Sequence, residues 1–265
     1  MMLEIFDYEF MRRACIVGMF LAIILPTMGL PILLKRLSMI GDTLAHSSLA
    51  GVAIGLCFGF DPLLASIAAC IVAGLGIELI RNKLKAYQEI STVIILAASI
   101  GLAGVFMSFI NNANSISAYL FGSIVTISDS EFYLVIAVSL FVIVCSYLLY
   151  NTLYLCVFDP KAAPILGINV KFINFMVTFL SAVAISISAK TIGSLIVSSL
   201  LVIPVVSAMQ IARTYKKTLL LSILLSVAFV YTGLFISYFF NLKPGSVIVL
   251  ISVIWLILTM IIKKN

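Results

Sequence analysis

Stretches of about twenty apolar residues, each closed by a short polar or basic cluster, follow one another along the chain. That spacing predicts a succession of membrane-spanning helices. The first runs from about Cys15 to Leu34, contains Pro26 and Pro31, which predict kinks, and stops at Lys35 and Arg36. The second starts at Gly41 and continues to Phe60. Asp61 and Pro62 then turn the chain into a third that ends near Ile80, ahead of Arg81, Lys83 and Lys85. A fourth covers about Ile90 to Ile110. A polar run with Asn111, Asn112, Asn114, Ser115 and Ser117 follows, then an apolar piece from Tyr119 to Val125 that is too short to cross. Five more are expected at about Glu131 to Asn151, Phe172 to Ala189, Thr191 to Ile211, Leu219 to Phe240 and Val247 to Ile262. The total is nine, with eight as the alternative, in one all-α polytopic membrane domain over residues 1–265.

Spans alternate in direction, so the count can be checked against the preference of basic residues for the cytoplasmic side. With the carboxyl terminus inside, the inner loops hold Lys35, Arg36, Arg81, Lys83, Lys85, Lys161, Lys171, Arg213, Lys216, Lys217, Lys263 and Lys264. Only Arg12, Arg13, Lys190 and Lys243 fall outside, and the two arginines keep the eight-span version open. Residues Met1 to Met11 carry Glu4, Asp7 and Glu9, which predicts a short interfacial helix rather than a cleavable signal.

Composition narrows the class further. With 63% hydrophobic and 10% charged residues, a soluble core is excluded, and the long unbroken runs do not alternate as β-barrel strands do. The net charge of +6 sits in small clusters between spans, so it reports orientation in a lipid bilayer and not nucleic-acid binding. Cys15, Cys57, Cys70, Cys145 and Cys156 are scattered singly, which predicts free thiols rather than a zinc ribbon or a disulfide framework.

Among ten acidic residues, most lie in the amino-terminal segment or at span ends; Asp42 and Glu78 do not. Glu78 precedes Arg81 by one turn, and a snorkelling, locally paired carboxylate accounts for it. Asp42 is different. It stands four residues before His46, the only histidine, so both side chains share a helix face and offer one carboxylate and one imidazole. That donor set suits zinc, manganese or ferrous iron. Ser47, Gly51, Gly55 and Gly59 recur every four residues and predict a smooth packing face, roughly 100° around the helix from the pair. Asp42 follows Arg36 by only six residues; if that places it at the cytoplasmic end, the pair is a gate rather than a central transport site.

The run from Arg13 to Gly55, RACIVGMFLAIILPTMGLPILLKRLSMIGDTLAHSSLAGVAIG, resembles the opening of the permeases of bacterial zinc, manganese and iron ABC importers, the ABC-3 family. The likeness continues in YLFGSI at Tyr119, in FDPKAAPILG from Phe158 to Gly167, and in the tail from Lys190 through Pro204 to the PGSVIVLI run starting at Pro244. It covers nearly the whole chain, and GDxLxH at Gly41 is its most specific part. The resemblance implies that Asp42 and His46 line a metal pathway and that the transported ion is manganese or zinc, less readily iron, with no permanently bound cofactor.

The resemblance also implies partners: a cytoplasmic ATP-binding dimer, an extracytoplasmic metal-binding protein, and a second copy of this chain, in the bacterial cytoplasmic membrane. The segment at about 159–168 would be the coupling helix, with Asp159, Pro160, Ala163, Leu166 and Gly167 carrying the contact to the ATPase. Asp159 capping amides with Pro160 at the first helical position is a sound helix start, and Leu166 and Gly167 would end it. Lys161 and Pro164 depart from the family pattern, and Pro164 is expected to break the helix or move its start. Ala50 and Ser123 are smaller departures. The chain has no GxxxxGK[ST] loop, so it is not expected to hydrolyse ATP itself. Two other classes use the same residues: a proton-coupled secondary metal transporter, and an intramembrane hydrolase, against which stand the missing HExxH motif and the diverging directions of His46 and Ser47.

Overall fold

The computed structural model describes residues 9–84, 88–110, 128–240 and 242–264, and these are helical with no strand among them. The helices are α1 (Glu9–Leu34), α2 (Ile40–Phe58), α3 (Pro62–Lys83), α4 (Gln88–Met107), α5 (Asp129–Leu148), α6 (Tyr150–Phe158), α7 (Ala162–Ile165), α8 (Val170–Ile192), α9 (Ser194–Ile211), α10 (Tyr215–Phe240) and α11 (Pro244–Lys264). Eight of them, all but α6, α7 and α9, are long and apolar enough to cross a membrane. Lys85, Ser123 and the apolar piece from Tyr119 to Val125 lie outside the described residues.

Side-chain contacts establish which helix ends lie together. At one end Arg13, near the start of α1, pairs with Glu9 and with Asp129 at the start of α5, and Lys190, near the end of α8, pairs with Glu131. At the other end Lys35, just past α1, donates to Asn174 Oδ1 near the start of α8 at 2.6 Å. Tyr215, which opens α10, packs there against Tyr150, Tyr154 and Phe158 of α6. Helix α8 finishes at the first end and α10 begins at the second, so α9 must carry the chain between them.

Its 18 residues cover about 27 Å, slightly under the roughly 30 Å of a hydrocarbon core. The described residues thus make nine passes, and α9 is the one that length and hydropathy alone leave out. Its start also differs from expectation. Thr191 and Ile192 complete α8, and the break falls at Gly193, whose φ of 97° stops one helix before the next begins. Two of the four basic residues expected at the sparsely charged end are matched locally, Arg13 by Glu9 and Asp129 and Lys190 by Glu131.

The amino-terminal expectation changes as well. Of the segment Met1 to Met11, residues 1–8 lie outside the described residues, and Glu9 to Met11 form the first turn of α1, held by the Glu9–Arg13 pair one turn apart. Helix α1 then continues through Pro26 and Pro31. Together with α2 and α8 it forms the buried centre, while α4, α5 and α11 turn most of their side chains outward.

Candidate functional site

Helix α1 closes on Arg36, a left-handed residue with φ of 57°, and Leu37 N donates back to the Ile32 carbonyl at 3.0 Å. Helix α2 begins at Ile40, so Asp42 lies in its first turn, where the unpaired amides favour a negative charge. Asp42 and His46 are both half-buried, and neither makes a hydrogen bond or ion pair with any described residue. On the same face of α2, Leu49 and Ala53 further along the helix are buried.

The remaining faces are tied by polar bonds to α3 and α4. Towards α4, Thr43 Oγ1 donates to the Thr92 carbonyl at 3.2 Å, and Ser47 and Ser99 share a hydrogen bond of 2.7 Å between hydroxyls. Towards α3, the Ser48 and Ser66 hydroxyls meet at 2.8 Å, and Cys70 Sγ donates to the Leu44 carbonyl, between the two candidate ligands, at 3.2 Å. Sequence reasoning singled out Ser47 as a packing residue but missed Thr43, Ser48, Ser66, Cys70 and Ser99. The available signal was three hydroxyl residues, at 43, 47 and 48, inside a membrane helix, where each needs a partner.

The small-residue face divides between two roles. A Cβ on Gly51 would lie 2.6 Å from the Ala65 carbonyl oxygen, and one on Gly55 would lie 2.9 Å from Ala65 Cβ, so both positions admit α3 closely. Gly59 does not join them. It is exposed with nothing within 4 Å of a Cβ, and its φ of 72° makes it the left-handed cap of α2 rather than a packing residue.

Depth follows from these contacts. Cys70, which touches the Leu44 carbonyl, is eight residues from the start of α3 and thirteen from its end, about 12 Å and 20 Å by helical rise. A Cβ on Gly41 would touch Ser198, the fifth residue of α9, and Leu201, the eighth. By the Ser47–Ser99 bond His46 lies near mid-depth, whereas Thr43 meets Thr92, the fifth residue of α4 and about 6 Å from its start, so Asp42 lies between mid-depth and the end where α1 closes. That is the side on which Arg36 lies, six residues before Asp42 in the sequence.

Glu78 is paired as expected but does not snorkel. Its Oε1 accepts from Arg81 at 2.7 Å, and both residues are only 7% exposed. The nearby Lys35 ammonium is pushed below its ordinary range by burial. Among the described residues no group of three or more histidine, cysteine, aspartate or glutamate side chains could hold a metal.

The segment at 159–168 folds into a single turn, α7. Asp159 Oδ1 accepts from Ala162 N at 3.0 Å, and Pro164 sits inside that first turn, where no intrahelical donor is required. Leu166 follows the last helical residue and Gly167 reverses the chain with φ of 79°. Ala163 is fully buried, whereas Ile165 and Leu166 are 85% and 67% exposed and Pro160 and Lys161 are also exposed.

A chain whose described residues are all helical and cross nine times, with an acid and an imidazole that bond no described residue and an exposed apolar turn at one end, is a membrane permease. The ABC 3 transport family matches residues 7–263, and the chain belongs to that family. It is 33% identical over 252 residues, 95% of each chain, to the "Probable metal transport system membrane protein" of Treponema pallidum. It is 28% identical over 257 residues to the high-affinity zinc uptake system membrane protein ZnuB of Haemophilus influenzae, covering 96% of this chain and 97% of that one. It is 27% identical over 248 residues to the manganese transport system membrane protein MntC of Listeria monocytogenes, with 94% and 89% covered. Its fold matches the structure of PsaBC from Streptococcus pneumoniae in complex with Fab, with a TM-score of 0.86, 23% identity, and 98% and 95% of the two chains covered.

Proposed function

We propose that this chain, as one permease domain over residues 1–265, is the membrane-spanning subunit of an ATP-driven importer of manganese or zinc. Asp42 and His46 are its contribution to the metal pathway. The observation that carries this reading is the pair itself: two side chains able to ligate a metal, half-buried and without a partner among the described residues, on a helix bonded to α3 and α4. A buried acid left unsatisfied costs at least about 2.5 kcal/mol on insertion scales, and a passing cation would offset that cost. Kinship with manganese and zinc transport membrane proteins supports the choice of ion.

Two donors are few for a transition metal, which favours four to six ligands. Water, or a second copy of the chain across a two-fold axis, completes the set. Weak coordination suits a site that must release its ion. The exposed Ile165 and Leu166 beside buried Ala163 support a docking role for Asp159 to Gly167 on a separate ATP-binding dimer. That exposed turn favours the importer over a proton-coupled transporter, which needs no such surface. The basic ends of α1, α3, α10 and α11 then face the cytoplasm, carboxyl terminus included, and an extracytoplasmic binding protein delivers metal at the opposite side in the bacterial cytoplasmic membrane.

The test is uptake of manganese and zinc by the chain co-expressed with its ATP-binding and binding-protein partners. The Asp42→Ala, His46→Ala double variant, expressed at normal level, should lose uptake while retaining the ATPase subunit on purification. Normal uptake by that variant would remove the pair from the pathway, and uptake with no ATP-binding partner would remove the importer reading.

A further inference from the structure

A groove of about 370 Å³ runs between the carboxyl-terminal ends of α9 and α11, lined by Gln210, Ile211, Trp255, Leu258, Thr259 and Ile262. The four α11 residues recur at i, i+3, i+4 and i+7, so they form one continuous face about 10 Å long. That face asks for an apolar occupant: Thr259 Oγ1 is satisfied by the Leu256 carbonyl at 2.8 Å. Gln210 is the exception, since its amide has no hydrogen-bond partner among the described residues.

The mouth of the groove is strongly basic. Helix α9 ends at Ile211, Arg213 follows two residues later, and Lys216 and Lys217 stand in the first turn of α10. All three side chains are exposed and carry no ion pair with a described residue. No acidic residue follows Asp159 in the sequence, and α11 itself finishes in Lys263 and Lys264. An apolar channel on membrane-crossing helices, closed at one end by unpaired cations and an unsatisfied amide, matches one kind of molecule.

We propose that this groove binds a phospholipid with an anionic headgroup. One acyl chain lies along Trp255, Leu258 and Ile262, Gln210 meets the ester region, and Arg213, Lys216 and Lys217 hold the phosphate. A second helix fits less well, because Ile211, Leu258 and Ile262 are bulky and exposed, whereas close helix contact in membranes uses small residues. The inference rests on the membrane reading alone and is independent of the metal site.

Trp255 is the only tryptophan in the chain, it lines the groove, and it is 41% exposed with Phe229 edge-on at 6.3 Å, so its fluorescence reports occupancy directly. The full chain is reconstituted in nanodiscs of phosphatidylcholine containing a small fraction of a lipid brominated on its acyl chains, either phosphatidylglycerol or phosphatidylcholine. Brominated phosphatidylglycerol should reach half-maximal quenching at a mole fraction about fivefold lower, the factor for even one basic residue near a membrane surface. In the Arg213→Gln, Lys216→Gln, Lys217→Gln variant that preference should vanish while quenching by phosphatidylcholine persists. Exchange of each for the other basic residue should keep it. Equal quenching by both lipids in the parent chain, a preference surviving the triple glutamine change, or a Trp255 that neither lipid reaches because a protein surface covers it, would each overturn the proposal.

Discussion

Substituting Gly51 and Gly59, two members of one small-residue stripe on α2, separates close packing from backbone geometry. An alanine Cβ at Gly51 would lie 2.6 Å from the Ala65 carbonyl oxygen and 2.7 Å from both Ser66 Cα and Ala69 Cβ. Ordinary contact begins at 3.4 Å, so α3 must recede by about 0.7 Å, and two of the three atoms are backbone that cannot swing aside. Overpacking of this kind costs about 1 to 3 kcal/mol. The same displacement strains the Ser48–Ser66 bond at 2.8 Å and the Cys70 bond to Leu44 at 3.2 Å. Interhelical bonds in membranes contribute about 0.6 kcal/mol each, so the total for Gly51→Ala is about 2 to 4 kcal/mol.

Gly59 meets nothing within 4 Å, and its φ of 72° sets the cost instead, about 1 to 2 kcal/mol for an alanine forced left-handed. Asparagine tolerates that conformation, so Gly59→Asn should melt close to the parent protein, whereas Gly51→Asn should be worse than Gly51→Ala. The assay is size-exclusion recovery after heating in detergent, read as a melting midpoint for each variant. A Gly51→Ala midpoint equal to that of the parent, or a smaller drop at Gly51 than at Gly59, would refute the packing account.

Three further outcomes follow from named contacts. Glu78→Gln or Arg81→Met alone should cost about 3 to 5 kcal/mol by stranding one buried charge, while the apolar double change Glu78→Leu, Arg81→Met should recover most of it in the same melting assay. Ser47→Ala and Ser99→Ala should be less than additive by about 0.6 kcal/mol and as much as about 1.7 kcal/mol, because each removes the same bond; a fully additive pair argues against the hydroxyl contact. Leu166→Arg, at a 67% exposed position, should leave the melting midpoint unchanged and abolish copurification of the ATP-binding subunit, and retained copurification would move the docking surface elsewhere.

The helical membrane architecture was legible because a bilayer demands a long apolar run for every crossing, and each run writes itself into the sequence. Where that demand relaxes, legibility fails. Helix α9 is short and shares its first expected residues, Thr191 and Ile192, with α8, so the boundary at Gly193 is set by a backbone angle that composition does not reveal. The Asp42 and His46 pair was visible because ionisable residues are rare inside spans. Its supporting bonds were not, since Ser66, Cys70 and Ser99 are ordinary residues until the fold brings them beside α2.

The same bonds bear on how the membrane tolerates the pair. Asp42 costs at least about 2.5 kcal/mol at depth and has no described partner that would offset it. Four interhelical bonds, from Thr43, Ser47, Ser48 and the Leu44 carbonyl, contribute about 0.6 kcal/mol each, together about 2.4 kcal/mol. The two quantities are alike in size. Helix α2 can therefore hold an unsatisfied acid and imidazole without leaving its place in the bundle, because its other faces supply what this face withholds. A pair partnered inside the chain would be more stable and would have less reason to take up an ion. Stability at α2 is thus spread over the three helices α2, α3 and α4, and a tilt of α2 that preserves these bonds would carry those three helices together.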